Sequence, residues 1–232
     1  MINLLKPIYV GPKIRLGRDY DGGYVTTEKS INDSVALFSY GISDDISFEE
    51  DYIKLSDNNS YSFDHTIYEI KTIYPNNFHF NREGLSGTKT LQTDNFIEHY
   101  NQRSINSSVL LKMDIEGAEY EYFLNTDIEL LSRITTGIIV EFHWLEKEKF
   151  RKLFIECINK LNSFFYICHV HGNNMSNTFN LDNHAVPNVL EITFVPKGLN
   201  PNAIIDTATY PTELDEPNIF GIKDYDLSFL SL

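Results

Sequence analysis

Three short segments carry acids and imidazoles at spacings suited to chemistry: Asp114 with Glu116, Glu141 with His143, and His169 with His171. The members of each pair are two residues apart, so an extended backbone running through a pair would point both side chains the same way. A carboxylate such as Asp114 can bind an amino group, act as a general base or ligate a metal. Imidazole, with an ordinary pKa of ~6.5, exchanges a proton near neutrality, and a neighbouring carboxylate fixes its tautomer. Asp114, Glu141, His143 and His171 together offer mixed oxygen and nitrogen ligands for a divalent ion, although they lie far apart in sequence and form no local metal signature. His171 alone could instead orient a substrate hydroxyl. The ordinary alternative for Asp114 is a cap on the helix starting near Gly117, a role that Glu116 and Glu119 suit better. Trp144, next to His143, either walls a pocket or packs in the core.

These residues need a scaffold. Apolar runs predict strands over 35–40, 60–63, 78–80, 109–113, 137–142, 164–170 and 189–195. Helical patterns follow Gly41, with Ser43 or Asp44 as the cap, and run over 93–100, 118–131 and 146–161; the third breaks at Asn125-Thr126, where Thr126 could cap a second segment. Strands alternating with helices imply a mostly parallel sheet covered on both faces, whose ligand crevice lies outside the carboxyl ends of the strands. Successive strand exits carry Gly41 with Asp44 and Asp45, then Asp64 and His65, His79, Asp114 and Glu116, Glu141 and His143, and His169 and His171, so five of the seven histidines sit at exits. Gly41 lets the backbone approach a bound group closely, and the helix after it offers amides to an anion. Asp64 has the placement of an acceptor for two adjacent ribose hydroxyls.

At 232 residues, with 42% apolar and 13% aromatic residues, the chain can bury one substantial core. A division follows into an N-terminal extension or cap over 1–30, a catalytic core over 31–197 and a C-terminal extension over 198–232, within a single domain. Nineteen basic against thirty-three acidic residues give a charge of −14, which argues against nucleic acid as a partner. Cys157 and Cys168 make no disulfide framework and no zinc spacing. The apolar run at the N-terminus is too short for a signal peptide and no stretch is long enough to span a bilayer, so a cytoplasmic protein without membrane partners is expected. A phosphate loop and a three-glycine dinucleotide motif are absent, which disfavours an NTPase and a nicotinamide enzyme, and Gly-x-Ser-x-Gly is absent too.

The stretch Leu111-Lys112-Met113-Asp114-Ile115-Glu116-Gly117-Ala118-Glu119 resembles the signature of the FkbM-type S-adenosylmethionine-dependent methyltransferases. The segments 17–25 (GRDYDGGYV), 39–45 (SYGISDD), 141–143 (EFH) and 188–191 (NVLE) resemble a methyltransferase-like branch of that family, so the likeness runs from about residue 16 to residue 197. The resemblance implies a Rossmann-like, seven-stranded class I methyltransferase sheet with helices on both faces and its last strand antiparallel. It implies S-adenosyl-L-methionine as cofactor, with Gly41 under its methionine part, Asp64 at its ribose, and Asp44 and Asp114 nearby. Because metal-dependent O-methyltransferases place oxygen ligands at the ends of their fourth and fifth strands, it also raises a divalent metal at Asp114 and Glu141, with His143 and His171 at hand. One departure stands out: Gly41 is followed by Ile-Ser-Asp-Asp rather than by a fuller glycine-rich motif. The expected reaction is methylation of a hydroxyl on a sugar or small molecule, with Asp114, Glu141, His143 and His171 as catalytic candidates. The alternatives are a metal-dependent hydrolase or sugar-modifying enzyme, and a noncatalytic cofactor-binding module.

Overall fold

The computed structural model describes residues 1–231. Its main elements, in chain order, are α1 (Glu28–Asn32), β1 (Ala36–Tyr40), α2 (Ser47–Ser56), β2 (Asn59–Phe63), β3 (Phe78–Asn81), α3 (Phe96–Gln102), β4 (Val109–Met113), α4 (Glu119–Asn125), α5 (Ile128–Ile134), β5 (Thr135–Phe142), α6 (Glu148–Leu161), β6 (Phe165–Gly172) and β7 (Leu190–Pro196). The seven strands form one sheet in the order β3-β2-β1-β4-β5-β7-β6, in which β7 runs antiparallel to both its neighbours and the other pairings are parallel. This is the Rossmann-like class I methyltransferase sheet that the sequence resemblance implies. No helix among the described residues is long and apolar enough to cross a membrane.

The central strands are apolar on both sides because both sides are covered. Alternate residues divide between two cores: Phe38, Tyr40, Val109, Leu111, Met113, Ile138 and Val140 face one, while Leu37, Leu110 and Ile139 face the other. The first core receives α6 through Phe154, Cys157, Ile158 and Leu161, a spacing that gathers four side chains on one helical stripe. The second receives α2 through Phe48, Tyr52 and Ile53. Cys157 and Cys168 are both buried and unpaired.

Local chemistry differs from expectation at several boundaries. The helix after Gly41 starts only at Ser47, and neither Ser43 nor Asp44 caps it. Ser43 instead takes a left-handed φ of 49° and gives its N–H to Asp64, while Asp45 Oδ1 accepts from Ser47 N at 3.1 Å. The helix over 118–131 does break after Asn125, but Asp127 caps the second piece through Leu130 N; Thr126 gives its hydroxyl to Tyr122 O. The segment 93–100 is a short strand followed by α3, with Asn95 as its cap. Near the N-terminus, Lys13–Leu16 and Tyr24–Thr27 pair as a hairpin, and the Asn-rich excursion after β6 contains a second hairpin, Thr178–Leu181 with His184–Pro187.

Gly41 shows how tightly the strand exits are joined. Its N–H donates to Phe63 O at 2.9 Å, and Asp114 N donates to Tyr40 O at 3.0 Å, so the ends of β2, β1 and β4 are stitched together here. Gly41 has φ of 73°, and a Cβ at this position would lie 1.6 Å from the carbonyl oxygen of Asp114. The glycine is therefore required by the neighbouring strand itself, before any ligand is considered. Gly41→Ala is expected to lower unfolding free energy by about 2–5 kcal/mol, combining left-handed strain with overpacking. Denaturant titration checks this, and a loss under about 1 kcal/mol, the size of an ordinary surface change, would contradict the close contact.

Candidate active site

The register of the sheet lines up one polar residue per strand across its carboxyl edge. Asp114 and Glu141 lie one step beyond the pair Val140 and Met113, Glu141 pairs with Glu191, and Glu191 pairs with His171. Three carboxylates, on β5, β7 and just past β4, therefore stand side by side. Glu141 and Glu191 are buried and Asp114 is partly covered.

Such a row needs donors. Tyr24, from the N-terminal hairpin, donates its hydroxyl to Glu141 Oε2 at 2.9 Å and lies 3.2 Å from Asp114 Oδ2. A phenol has one proton, so it can serve only one carboxylate at a time. Asn173 Nδ2 donates to Glu141 Oε1 at 2.9 Å, and Asn218 Nδ2 donates to Glu191 Oε1 at 2.9 Å. Asp114 Oδ1 is buried without a hydrogen-bond partner. Burial holds the Glu141 carboxyl well above its usual range, reinforced by Asp114 and Glu191. Asp114 is also held above its range by burial, against the pull of Lys112 and His143.

His143 completes the cluster. Its backbone N–H donates to Glu119 Oε1 at 2.9 Å, and its Nδ1 lies 3.2 Å from the same oxygen. Tyr120 donates its hydroxyl to the His143 carbonyl. These contacts leave Nε2 facing Asp114 Oδ1 at 3.7 Å, Glu116 Oε2 at 3.5 Å and Glu141 Oε1 at 3.7 Å. Burial works against the charged ring, but Glu119, Glu141 and Asp114 outweigh it and raise its pKa to about 10. One ligand atom from each of Asp114, Glu141 and His143 falls within 4.8 Å of the others, a grouping that can hold a metal ion. Glu119 binding Nδ1 while Nε2 faces the carboxylates is the orienting arrangement typical of a ligating histidine.

Three clefts meet at Asp114. The first, about 270 Å³, is lined by Gly41, Phe63, Asp64, Leu85, Ile115 and Ala118, among others. Its apolar walls suit a flat base. Asp64 projects into it from the exit of β2 with both oxygens held, Oδ2 by Ser43 N at 2.9 Å and Oδ1 by Thr66 N at 2.7 Å. A pinned carboxylate beside an apolar slot fits a nucleoside with a ribose diol, so the donor set suits S-adenosylmethionine. The second cleft, about 240 Å³, lies on the other side of Gly41 and includes Asp44, Lys112 and Tyr24. The third, about 280 Å³, is lined by Glu116, Glu141, His143, Trp144, Asn173 and Asn188, among others.

The structure thus brings Asp114, Glu141 and His143 together and sets Gly41, Asp44 and Asp64 along the adjoining clefts. It does not bring His171 to them. His171 Nδ1 lies 2.9 Å from Glu191 Oε2 and Nε2 lies 2.8 Å from Asp224 Oδ2, so both ring nitrogens are engaged away from the cluster. Of the other histidines at strand exits, His169 pairs with Asp215, His79 lies exposed on the edge strand beside Asn59, and His65 borders the first cleft. Glu116, just past β4, has φ of 54° and an exposed side chain, so the extended path assumed for the Asp114 and Glu116 pair ends at Asp114. Asp114 caps no helix; Glu119 Oε2 takes Gly117 N at 2.8 Å at the start of α4. Trp144 is half-buried and borders the third cleft. Sequence reasoning missed Tyr24, Asn173 and the orienting role of Glu119. Glu119 had a signal, since it ends the motif containing Asp114, but its contact with His143 spans 24 positions.

Asp114, Glu141 and His143 all bind protons more tightly folded than unfolded. Stability from His143 is full below its ordinary pKa of ~6.5 and is lost as pH rises toward about 10, and the raised acids weaken the fold once pH passes their ordinary range. Glu141→Gln keeps the shape without the charge and is expected to gain thermal stability over the wild type as pH rises from about 5 to 9 in chelator. Divalent cation should then raise the melting temperature of the wild type and not of the variant. Parallel pH profiles for the two proteins would contradict the strained acid cluster.

A family described as Methyltransferase FkbM domain matches residues 22–168, more than half of the chain. No curated protein matches significantly. Among solved structures, the Methanococcus jannaschii fibrillarin pre-rRNA processing protein is similar at 11% identity and TM-score 0.41, covering 72% of this chain and 68% of that one. A fibrillarin/Nop5p complex is similar at 13% identity and TM-score 0.41, covering 71% and 73%. With the family matched through the strands that bear Asp64, Asp114 and Glu141, the chain belongs to the FkbM methyltransferase domain family.

Proposed function

We propose that the protein transfers a methyl group from S-adenosylmethionine to a hydroxyl of a sugar or small molecule, with Asp114, Glu141 and His143 at the acceptor. The observation that carries this reading is the position of Asp114: it borders both the cleft suited to a nucleoside and the cleft that holds Glu141 and His143. Donor and acceptor can thus meet across one side chain.

When bound, the cofactor supplies an electrophilic methyl group on sulfur. Asp64 would accept the ribose hydroxyls while Phe63, Leu85 and Ile115 enclose the base. Asp114, Glu141 and His143 would hold a divalent cation, which supplies a lowered pKa to a bound hydroxyl. The remaining work belongs to the protein. Glu119 sets the His143 ring with Nε2 toward the acceptor, Tyr24 and Asn173 fix the two oxygens of Glu141, and Trp144 walls the acceptor cleft. Without a cation, His143 Nε2 is the atom placed to take the hydroxyl proton when it stands unprotonated, so turnover should then rise with pH until that nitrogen is free; a cation held there would use the same lone pair and lower the hydroxyl pKa in its place.

Calorimetry with S-adenosylhomocysteine tests the cofactor directly, and absence of binding to both it and S-adenosylmethionine rejects the proposal. Asp64→Ala is expected to weaken cofactor binding by about tenfold or more, the loss of a charge-assisted hydrogen bond. His143→Ala should leave that affinity nearly unchanged and lower methyl transfer by about 10²–10⁴-fold across a panel of hydroxyl acceptors. Tight metal binding without nucleoside binding would favour a metal-dependent hydrolase, and cofactor binding without transfer to any acceptor would favour a noncatalytic module.

A further inference from the structure

The second cleft contains a cation that the mechanism above leaves unused. Lys112 lies two residues before Asp114 on β4, on the same side of the strand, and only 5% of it is exposed. Its ammonium sits 4.8 Å from the centre of the Tyr24 ring and 5.8 Å from that of Phe48, which hold it in place. No hydrogen bond or ion pair engages it among the described residues. It lines the cleft of about 240 Å³ that shares Gly41, Ser43 and Asp114 with the nucleoside cleft, so the two are continuous past the end of β1. Arg18, the other cation in this cleft, is already committed to Asp45 Oδ2 at 3.1 Å and Asp21 O at 2.7 Å.

The turn after β1 has already used several of the N–H groups that a glycine-rich loop would present. Such a loop binds an anion with free N–H groups. In this chain Gly41 N is taken by Phe63 O, Ser43 N by Asp64, Asp45 N by Ile42 O and Ser47 N by Asp45. The turn after β1 and the start of α2 have therefore spent these donors on their own shape. Among the side chains of this cleft, Lys112 is the buried cation left to meet an anion. Glu49, a buried acid of the same cleft, receives the Ser39 hydroxyl at 2.5 Å, and burial raises its pKa, which weakens its competition for Lys112.

We propose that Lys112 binds the α-carboxylate of the cofactor's methionine tail, in place of the N–H groups that this turn has already used. This rests on the methyltransferase reading: with the nucleoside seated against Asp64, the amino-acid tail extends past Gly41 into the Lys112 cleft.

Calorimetry with two ligands separates the possibilities. S-adenosylhomocysteine carries the carboxylate, and 5′-methylthioadenosine has the same nucleoside without the amino-acid tail. Lys112→Gln is expected to weaken the first by about 10- to 100-fold and to change the second by less than about twofold, while Lys112→Arg retains part of the affinity. If Lys112→Gln does not fold, the methyl ester of S-adenosylhomocysteine on the unaltered protein makes the same deletion from the ligand side and should show the same loss. Equal weakening of both ligands by Lys112→Gln, or full affinity for the ester, overturns the assignment while the methyltransferase reading stands. Failure of the wild-type protein to bind either nucleoside overturns both.

Discussion

A row of carboxylates along the carboxyl edge of the sheet governs how this molecule is put together. Asp114, Glu141 and Glu191 come from adjacent strand ends, and the strand spacing leaves them too close to be ionised together without compensation. Water cannot supply that compensation where Glu141 and Glu191 are buried. The donors must come from the chain, and they come from its outer segments. The N-terminal hairpin contributes Tyr24, the loop after β6 contributes Asn173, and the C-terminal segment contributes Asn218.

This explains why the segments beyond the sheet are fastened to it by polar rather than only apolar contacts. The C-terminal segment carries Asp206 to Lys13 at 3.0 Å, Asp215 to His169 at 2.7 Å and Asp224 to His171 at 2.8 Å. Burial alone would deprotonate His171, but Glu191 and Asp224 outweigh it and raise its pKa well above the ordinary value. His171 thereby offsets the far end of the acid row, as His143 does the near end. The two histidines have similar chemistry and different uses. One has both nitrogens consumed by acids, and the other has Nδ1 held by Glu119 and Nε2 turned toward the clefts.

The near end remains incompletely compensated. Tyr24 has one proton for two carboxylates, Asp114 Oδ1 has no partner, and His143 Nε2 stands beyond hydrogen-bond distance from three carboxylate groups. A fold optimised for stability would close such a gap. Here the gap lies at the junction of three clefts, where a ligand's charge or a cation can complete it.

Much of this was legible in the sequence. Apolar runs revealed all seven sheet strands, because strands buried on both faces leave a contiguous signature, and the motif around Asp114 pointed to the family and to a last strand that runs antiparallel. The pairing of Glu141 with His143 followed from a two-residue spacing on an extended backbone. The helix starts were less legible: Asp127 rather than Thr126 caps α5, and Asp45 rather than Ser43 or Asp44 takes the first amide of α2, since composition does not rank neighbours that differ by one or two positions. What the sequence by itself determined was which residues leave the sheet at its carboxyl edge. Which of them meet was decided only by tertiary structure. Inserting antiparallel β7 between β5 and β6 puts Glu191 between Glu141 and His171, and so carries His171 out of reach of Asp114. Folding the N-terminal hairpin back brings Tyr24 to Asp114 and Glu141, across 90 and 117 positions of chain, a distance over which no local pattern carries information.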